Sequence, residues 1–194
     1  MHSKLEKKIE STGTRATVIE HRKVFTAYDA AQTMRRKLEE IVKTLLVQGG
    51  EQFYLVHVPA NKNIDLKKLA KVIGVNKVTI PKEKALLKQL KIKPGKMAAF
   101  GFVYKLPDVV DKNLRKAKKV IFASGELTAS LEMSVSDFLK LTDQYIEGVF
   151  TVAKKLPKPA SRQKSKPKTK SKKKTATKKV VKKKSSKIIK RRRQ

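Results

Sequence analysis

Cysteine and tryptophan are both absent from this chain. Without cysteine there is no disulfide framework, no Cys-ligated zinc site and no thiol nucleophile, and the usage fits a reducing compartment. Acidic residues are scarce, with 16 Asp and Glu against 49 Lys and Arg, a formal net charge of +33 that no ordinary globular enzyme carries. Such an excess points to a polyanionic partner. Long apolar runs are missing as well. No stretch approaches the ~18 residues a membrane span requires, and the first residues lead into no run of signal-peptide length. A soluble, cytoplasmic protein is expected, with association with a nucleoid as a variant of that reading. Only three histidines occur, His2, His21 and His57, and they are scattered. Walker-type phosphate loop, dinucleotide glycine fingerprint and His-Glu zinc helix are all lacking, so neither metal nor cofactor is expected.

What is present is unevenly distributed. Residues 154–194 hold 21 Lys and Arg and no acid, which leaves 28 bases against all 16 acids before them, a body of +12 and a tail of +21. Three prolines (Pro157, Pro159, Pro167) and Ser/Thr/Lys alternation mark that tail as a disordered segment when free. Three parts are therefore expected: a flexible lead-in over 1–16, a folded domain over 17–153 and the Lys/Arg-rich tail over 154–194. Within the domain, short β-rich runs alternate irregularly with amphipathic helices. About seven strands and three or four helices can be placed, which predicts an α+β (mixed α/β) fold rather than strict βαβ repetition.

Several elements carry their own signals. Ala16–His21 reads as a strand, and Thr26 with Asp29 resembles a capping box opening a helix towards Leu38. Ile41–Val47 and Gln52–Val58 flank the turn signal Gln48-Gly49-Gly50-Glu51 and predict a hairpin. Asp65 caps a helix over Leu66–Ile73 that Gly74 ends. A second amphipathic helix is predicted from Lys82 to Leu90, strands over Lys119–Gly125 and Ala129–Met133, and a last helix from Ser134 that extends towards Phe150.

The residue that stands out is Lys43, in the middle of the aliphatic run Ile41–Val47. Period-2 alternation puts it on one face with Ile41, Leu45 and Val47. An ammonium there either snorkels into water or meets a ligand at a cleft floor, and periodicity alone does not choose. The other candidates for chemistry are the glycine-bounded segment from Gly95 to Gly101 and the turn from Gly125 to Ser130. His57 in mid-strand reads as a satisfied structural histidine. His21, between a strand and a loop, reads the same way less strongly.

The order of these motifs resembles a known family. Ile41–Val47, Val56-His57-Val58-Pro59, Ile64–Lys71, Gly95–Gly101, Leu106-Pro107 with Val110-Asp111, Ala123-Ser124-Gly125, and Leu131-Glu132-Met133 with Asp137-Phe138-Leu139 follow the pattern of the YbaK/prolyl-tRNA editing domain, over roughly 17–142. The resemblance implies a compact domain on a mixed, curved β-sheet flanked by helices. It also implies a trans-editing aminoacyl-tRNA deacylase that hydrolyses the ester of mischarged tRNA. Lys43 would be the catalytic lysine, stabilising charge on the carbonyl oxygen. Gly95, Lys96, Met97, Ala98, Ala99, Phe100 and Gly101 would form the loop whose backbone holds the amino acid, with Gly125, Ser130 and His21 completing the substrate-binding set. In this family water, a ribose hydroxyl or the substrate's own side chain attacks, so no protein nucleophile need be visible.

Three positions depart from the pattern. Ala99 stands for the loop proline, Ile19 for a tyrosine, and Ser130 for an aspartate that would pair with a substrate amine. The basic tail would tether tRNA, or nucleic acid without sequence preference, through its phosphates. The competing reading is a non-catalytic nucleic-acid-binding protein on an editing fold. If the deacylase reading holds, Gly95–Ala99 and Gly125–Ser130 should converge on Lys43.

Overall fold

The computed structural model describes residues 3–154, apart from 83, 85–87, 89, 93 and 94. The tail and much of the helix expected over Lys82–Leu90 therefore lie outside the described residues. Chain order begins with α1 (Ser3–Thr12), β1 (Thr17–Glu20), α2 (Ala27–Thr33), β2 (Val42–Gly49), β3 (Gln52–Pro59), β4 (Lys62–Ile64), α3 (Leu66–Ile73) and β5 (Val78–Thr79). It continues with α4 (Gly101–Tyr104), β6 (Asp108–Asp111), a 3-10 turn (Lys112–Lys116), β7 (Val120–Ala123), β8 (Ala129–Met133), α5 (Val135–Leu141), β9 (Tyr145–Gly148) and β10 (Thr151–Ala153).

The principal sheet has the order β5-β2-β3-β6-β9. Its β2–β3 and β2–β5 pairs are antiparallel, while β3–β6 and β6–β9 are parallel. A second antiparallel sheet, β1-β8-β7, joins it where Ile41 bridges Ile121 in parallel, so the two continue as one curved, mixed surface. A two-stranded ribbon, β10-β4, is hydrogen-bonded into neither. The expected hairpin is present, with Gly49 opposite Gln52 and Gly50 at φ 62° in the turn.

Alternation along β3 divides the core. Tyr54, Val56 and Val58 pack with Val47, Leu69, Val109 and Phe150 on the face that α3 covers. On the other face His57 meets Phe138 edge-on, and Phe122 and Phe138 stack with centroids 4.3 Å apart. Phe100 closes that cluster at 5.4 Å from Phe138. These rings are fully buried and contribute roughly 1.5–3 kcal/mol each by area alone.

The caps read from sequence hold. The Thr26 hydroxyl accepts the Asp29 N–H, Asp65 accepts from Lys67 and Lys68, and Gly74 adopts φ 82°. Three expectations fail. Residues 3–12 form a helix whose Leu5 is fully buried, rather than a loose lead-in, because Leu5 and Ile9 lie one turn apart and dock on the core beside α5. The helix after Thr26 stops at Thr33 instead of running to Leu38, since Arg35 takes a left-handed φ of 52°. The last helix ends at Leu141, where Thr142 becomes extended and the chain turns into β9 beside β6.

Candidate active site

A cavity of about 440 Å³ opens along the outer edge of β2. β5 pairs with β2 only at Gln48 and Gly49, and between them and the Ile41–Ile121 bridge no strand among the described residues pairs with this edge. Four consecutive β2 residues, Val42, Lys43, Thr44 and Leu45, line the cavity, as does Ile41 just before them. Side chains from one face of a strand alternate, so a run of four marks an edge rather than a face. Lys43 is exposed and makes no ion pair with any described residue. It is both solvent-reaching and cavity-lining.

Gly95, Met97 and Ser130 line the same cavity. Gly125, at φ 93°, packs on the Ala98 methyl, and Ala98 bridges Ser124. The Lys96 ammonium pairs with Glu126 at 3.2 Å, linking the loop to the turn at the cavity rim. Of the two segments expected around Lys43, Gly95 and Met97 from one and Glu126 and Ser130 from the other share its cavity, and the remaining residues of both do not line it. Gly95 itself, at φ 75°, leaves room for neighbours a side chain would displace: a Cβ there would come within 2.9 Å of Leu127.

The rest of the 95–101 segment behaves differently from its expected role. Ala98, Ala99 and Phe100 are fully buried and Gly101 begins α4, so none of the four lines the cavity. Their amides are already committed. The Ala98 N–H donates to the Tyr104 hydroxyl at 2.8 Å and the Ala99 N–H to the Ala123 carbonyl at 2.9 Å. The Gly101 N–H donates to both Asp108 carboxylate oxygens at 3.0 and 3.1 Å. Burial pushes the Tyr104 hydroxyl above its ordinary range, against the Ala98 bond. These four residues brace the loop, and Gly95 and Met97 meet the cavity.

Behind the Thr44 wall lies a buried polar relay. His57 Nε2 is 2.7 Å from Asp108 Oδ1, both fully buried, and His57 Nδ1 is 3.2 Å from Thr44 Oγ1. With Nε2–H donating to the carboxylate, Nδ1 accepts the Thr44 hydroxyl. His57 is thus a satisfied core histidine. His21 does not line the cavity; it sits behind Ser130, with Nε2 at 2.9 Å from Ser130 Oγ and Nδ1 at 2.8 Å from the Arg22 carbonyl. Ser130 is 7% exposed.

Sequence reasoning missed Phe25, Thr26, Met34 and Thr44 as lining residues, and it held Glu126 only as part of the Gly125 to Ser130 turn. Nothing in the local pattern marks them, because they meet only where α2, the β2 edge and the turn before β8 come together. The remaining wall is mainly aliphatic.

Comparison with known proteins agrees with this architecture. The sequence pattern of the aminoacyl-tRNA editing domain matches residues 21–141. The prolyl-tRNA editing protein ProX of Acetoanaerobium sticklandii is 30% identical over 140 residues, 69% of this chain and 85% of its own length. The crystal structure of hypothetical protein APE2540 superposes with a TM-score of 0.69 at 22% identity, over 77% of this chain and 99% of that one. A proposed trans-editing enzyme for prolyl-tRNA synthetase superposes with a TM-score of 0.66 at 22% identity, over 78% and 96%. This chain belongs to the aminoacyl-tRNA editing domain family.

Proposed function

We propose that the cavity takes the aminoacyl end of a mischarged tRNA and hydrolyses its ester. The observation that carries this is Lys43, a cation with no carboxylate partner among the described residues, in a mainly aliphatic cavity that Gly95, Met97 and Ser130 also line. A carbonyl oxygen gains negative charge as the ester carbon becomes tetrahedral, and a nearby ammonium lowers that barrier by about 3 kcal/mol when water is largely excluded. The aliphatic wall suits a small apolar side chain, which such a pocket distinguishes from a neighbour in size by about 1–3 kcal/mol per methylene. The basic tail supplies affinity for tRNA phosphates without reading sequence. Its tethering raises the concentration of tRNA near the cavity. Action in the cytoplasm follows from the substrate; among the described residues no helix is long and apolar enough to cross a membrane.

The test is deacylation of a panel of mischarged tRNAs, led by mischarged prolyl-tRNA because ProX is named for it. Lys43→Ala should slow single-turnover hydrolysis by about 100-fold or more while tRNA affinity changes little. Equal rates for wild type and variant would remove Lys43 from the mechanism, and no hydrolysis of any substrate would leave a nucleic-acid-binding protein on an editing fold.

A further inference from the structure

We propose, on the basis of the ester-hydrolysis reading above, that Glu126 recognises the α-ammonium of the acyl group, so that the site selects amino esters over esters without that charge. Esterification removes the charge of an amino acid's carboxylate and leaves its amine, which titrates near about 8 and is an ammonium at lower pH. The acyl group therefore arrives as a cation, and Lys43 places a second cation in the same cavity. Two like charges in a mainly aliphatic cavity repel, and an anion beside the amine offsets that repulsion.

Glu126 is the one carboxylate among the described residues that line the cavity. The hydroxyls there are neutral and each already has a partner. Thr26 Oγ1 accepts the Asp29 N–H at 3.0 Å, Thr44 Oγ1 lies 3.2 Å from His57 Nδ1, and Ser130 Oγ lies 2.9 Å from His21 Nε2. Ser130 also stands where the editing-domain pattern has an aspartate. The charge missing there from β8 is present in Glu126, in the turn that precedes the strand.

The turn itself is well held. The Glu126 N–H donates to Ser124 Oγ at 3.3 Å, and the Ser124 hydroxyl donates to the Ala129 carbonyl at 2.6 Å. Lys96 Nζ lies 3.2 Å from Glu126 Oε2, while Oε1 has no hydrogen-bond partner among the described residues. The side chains of Lys96 and Glu126 are 43% and 41% exposed, so their pairing contributes little to stability and leaves the carboxylate accessible at the cavity rim. Oε1 is the oxygen free for a charge-assisted hydrogen bond from an ammonium, with Lys96 steadying the carboxylate from the other side.

Single-turnover deacylation by the full-length protein at about pH 6.5, where the amine is charged, tests this. Each mischarged tRNA of the panel is compared with its α-hydroxy counterpart, made from it with nitrous acid, which keeps the ester and side chain and replaces the ammonium by an uncharged hydroxyl. Because an ammonium also activates the ester by itself, the quantity read is the ratio of amino-ester to hydroxy-ester rates in each protein. Glu126→Gln, which keeps the size and removes the charge, should lower that ratio by about 10-fold or more relative to wild type. Lys96→Ala, which breaks the ion pair and leaves the carboxylate, should retain the wild-type ratio. A ratio within twofold of wild type in Glu126→Gln overturns the inference and leaves the deacylase reading standing. An equal fall in Lys96→Ala does the same, since Glu126 would then act only as a brace for the loop. Hydrolysis of no amino ester by wild type removes the deacylase reading and the inference with it.

Discussion

Tyr104 and Asp108 each hold one end of the segment that braces the cavity loop, and both can be tested singly. Tyr104→Phe removes the acceptor for the Ala98 N–H and leaves a buried donor unpaired, at a cost of about 1–3 kcal/mol. The same variant tests a pH dependence. Burial raises the folded Tyr104 above its ordinary value of 10.0, so the unfolded chain loses that proton first. Stability is therefore full below pH 10.0 and falls as pH rises from there towards the raised folded value. Denaturant midpoints across that range should show a steeper alkaline decline in wild type than in Tyr104→Phe. Asp108→Ala strips partners from both His57 and the Gly101 N–H, and chemical denaturation should show a loss of about 3–5 kcal/mol. The mid-strand placement of His57 was enough to predict a satisfied histidine. Which carboxylate satisfies it was not legible, because Asp108 is 51 residues away and reads in sequence as a turn residue.

Helices and strands differ in how much of them the chain announces. α3 was readable from Asp65 to Gly74 because its stripe, cap and terminating glycine are all local. Asp65→Ala should cost about 1 kcal/mol, measured by thermal or denaturant unfolding. α1 was not readable, since its lysine-rich turns look solvated and only docking of Leu5 and Ile9 gives it a reason to order. Leu5→Ala should destabilise by about 2–5 kcal/mol, which a flexible lead-in would not produce. The segment from Ser134 misled in the opposite direction. Its apolar spacing continues past Leu141, but parallel pairing of β9 with β6 takes those residues into the sheet. Long-range pairing of that kind overrides local periodicity.

For the complete chain, charge separates two activities that one variant can distinguish. Deleting residues 155–194 should weaken tRNA binding and flatten its dependence on salt, because fewer counterions are released. Hydrolysis at saturating tRNA should be unchanged, as none of the described cavity residues lies in that segment. Filter-binding titrations at two salt concentrations, paired with single-turnover rates, check both halves. A truncated protein with wild-type affinity would remove the tether from the mechanism.

Composition, charge and the order of short motifs determined by themselves the family and the mixed α+β class and singled out Lys43, because each of these is written in local pattern or in spacing along the chain. Tertiary structure alone decided what surrounds that lysine. β5 is too short to cover the β2 edge, so a cavity forms there and admits four consecutive residues. Ala98, Ala99 and Gly101 turn their amides to the core instead of the cavity because Tyr104, Ala123 and Asp108 accept them first. Ser130 meets His21 only through the register of β1 on β8, across 109 residues of sequence that no local pattern connects.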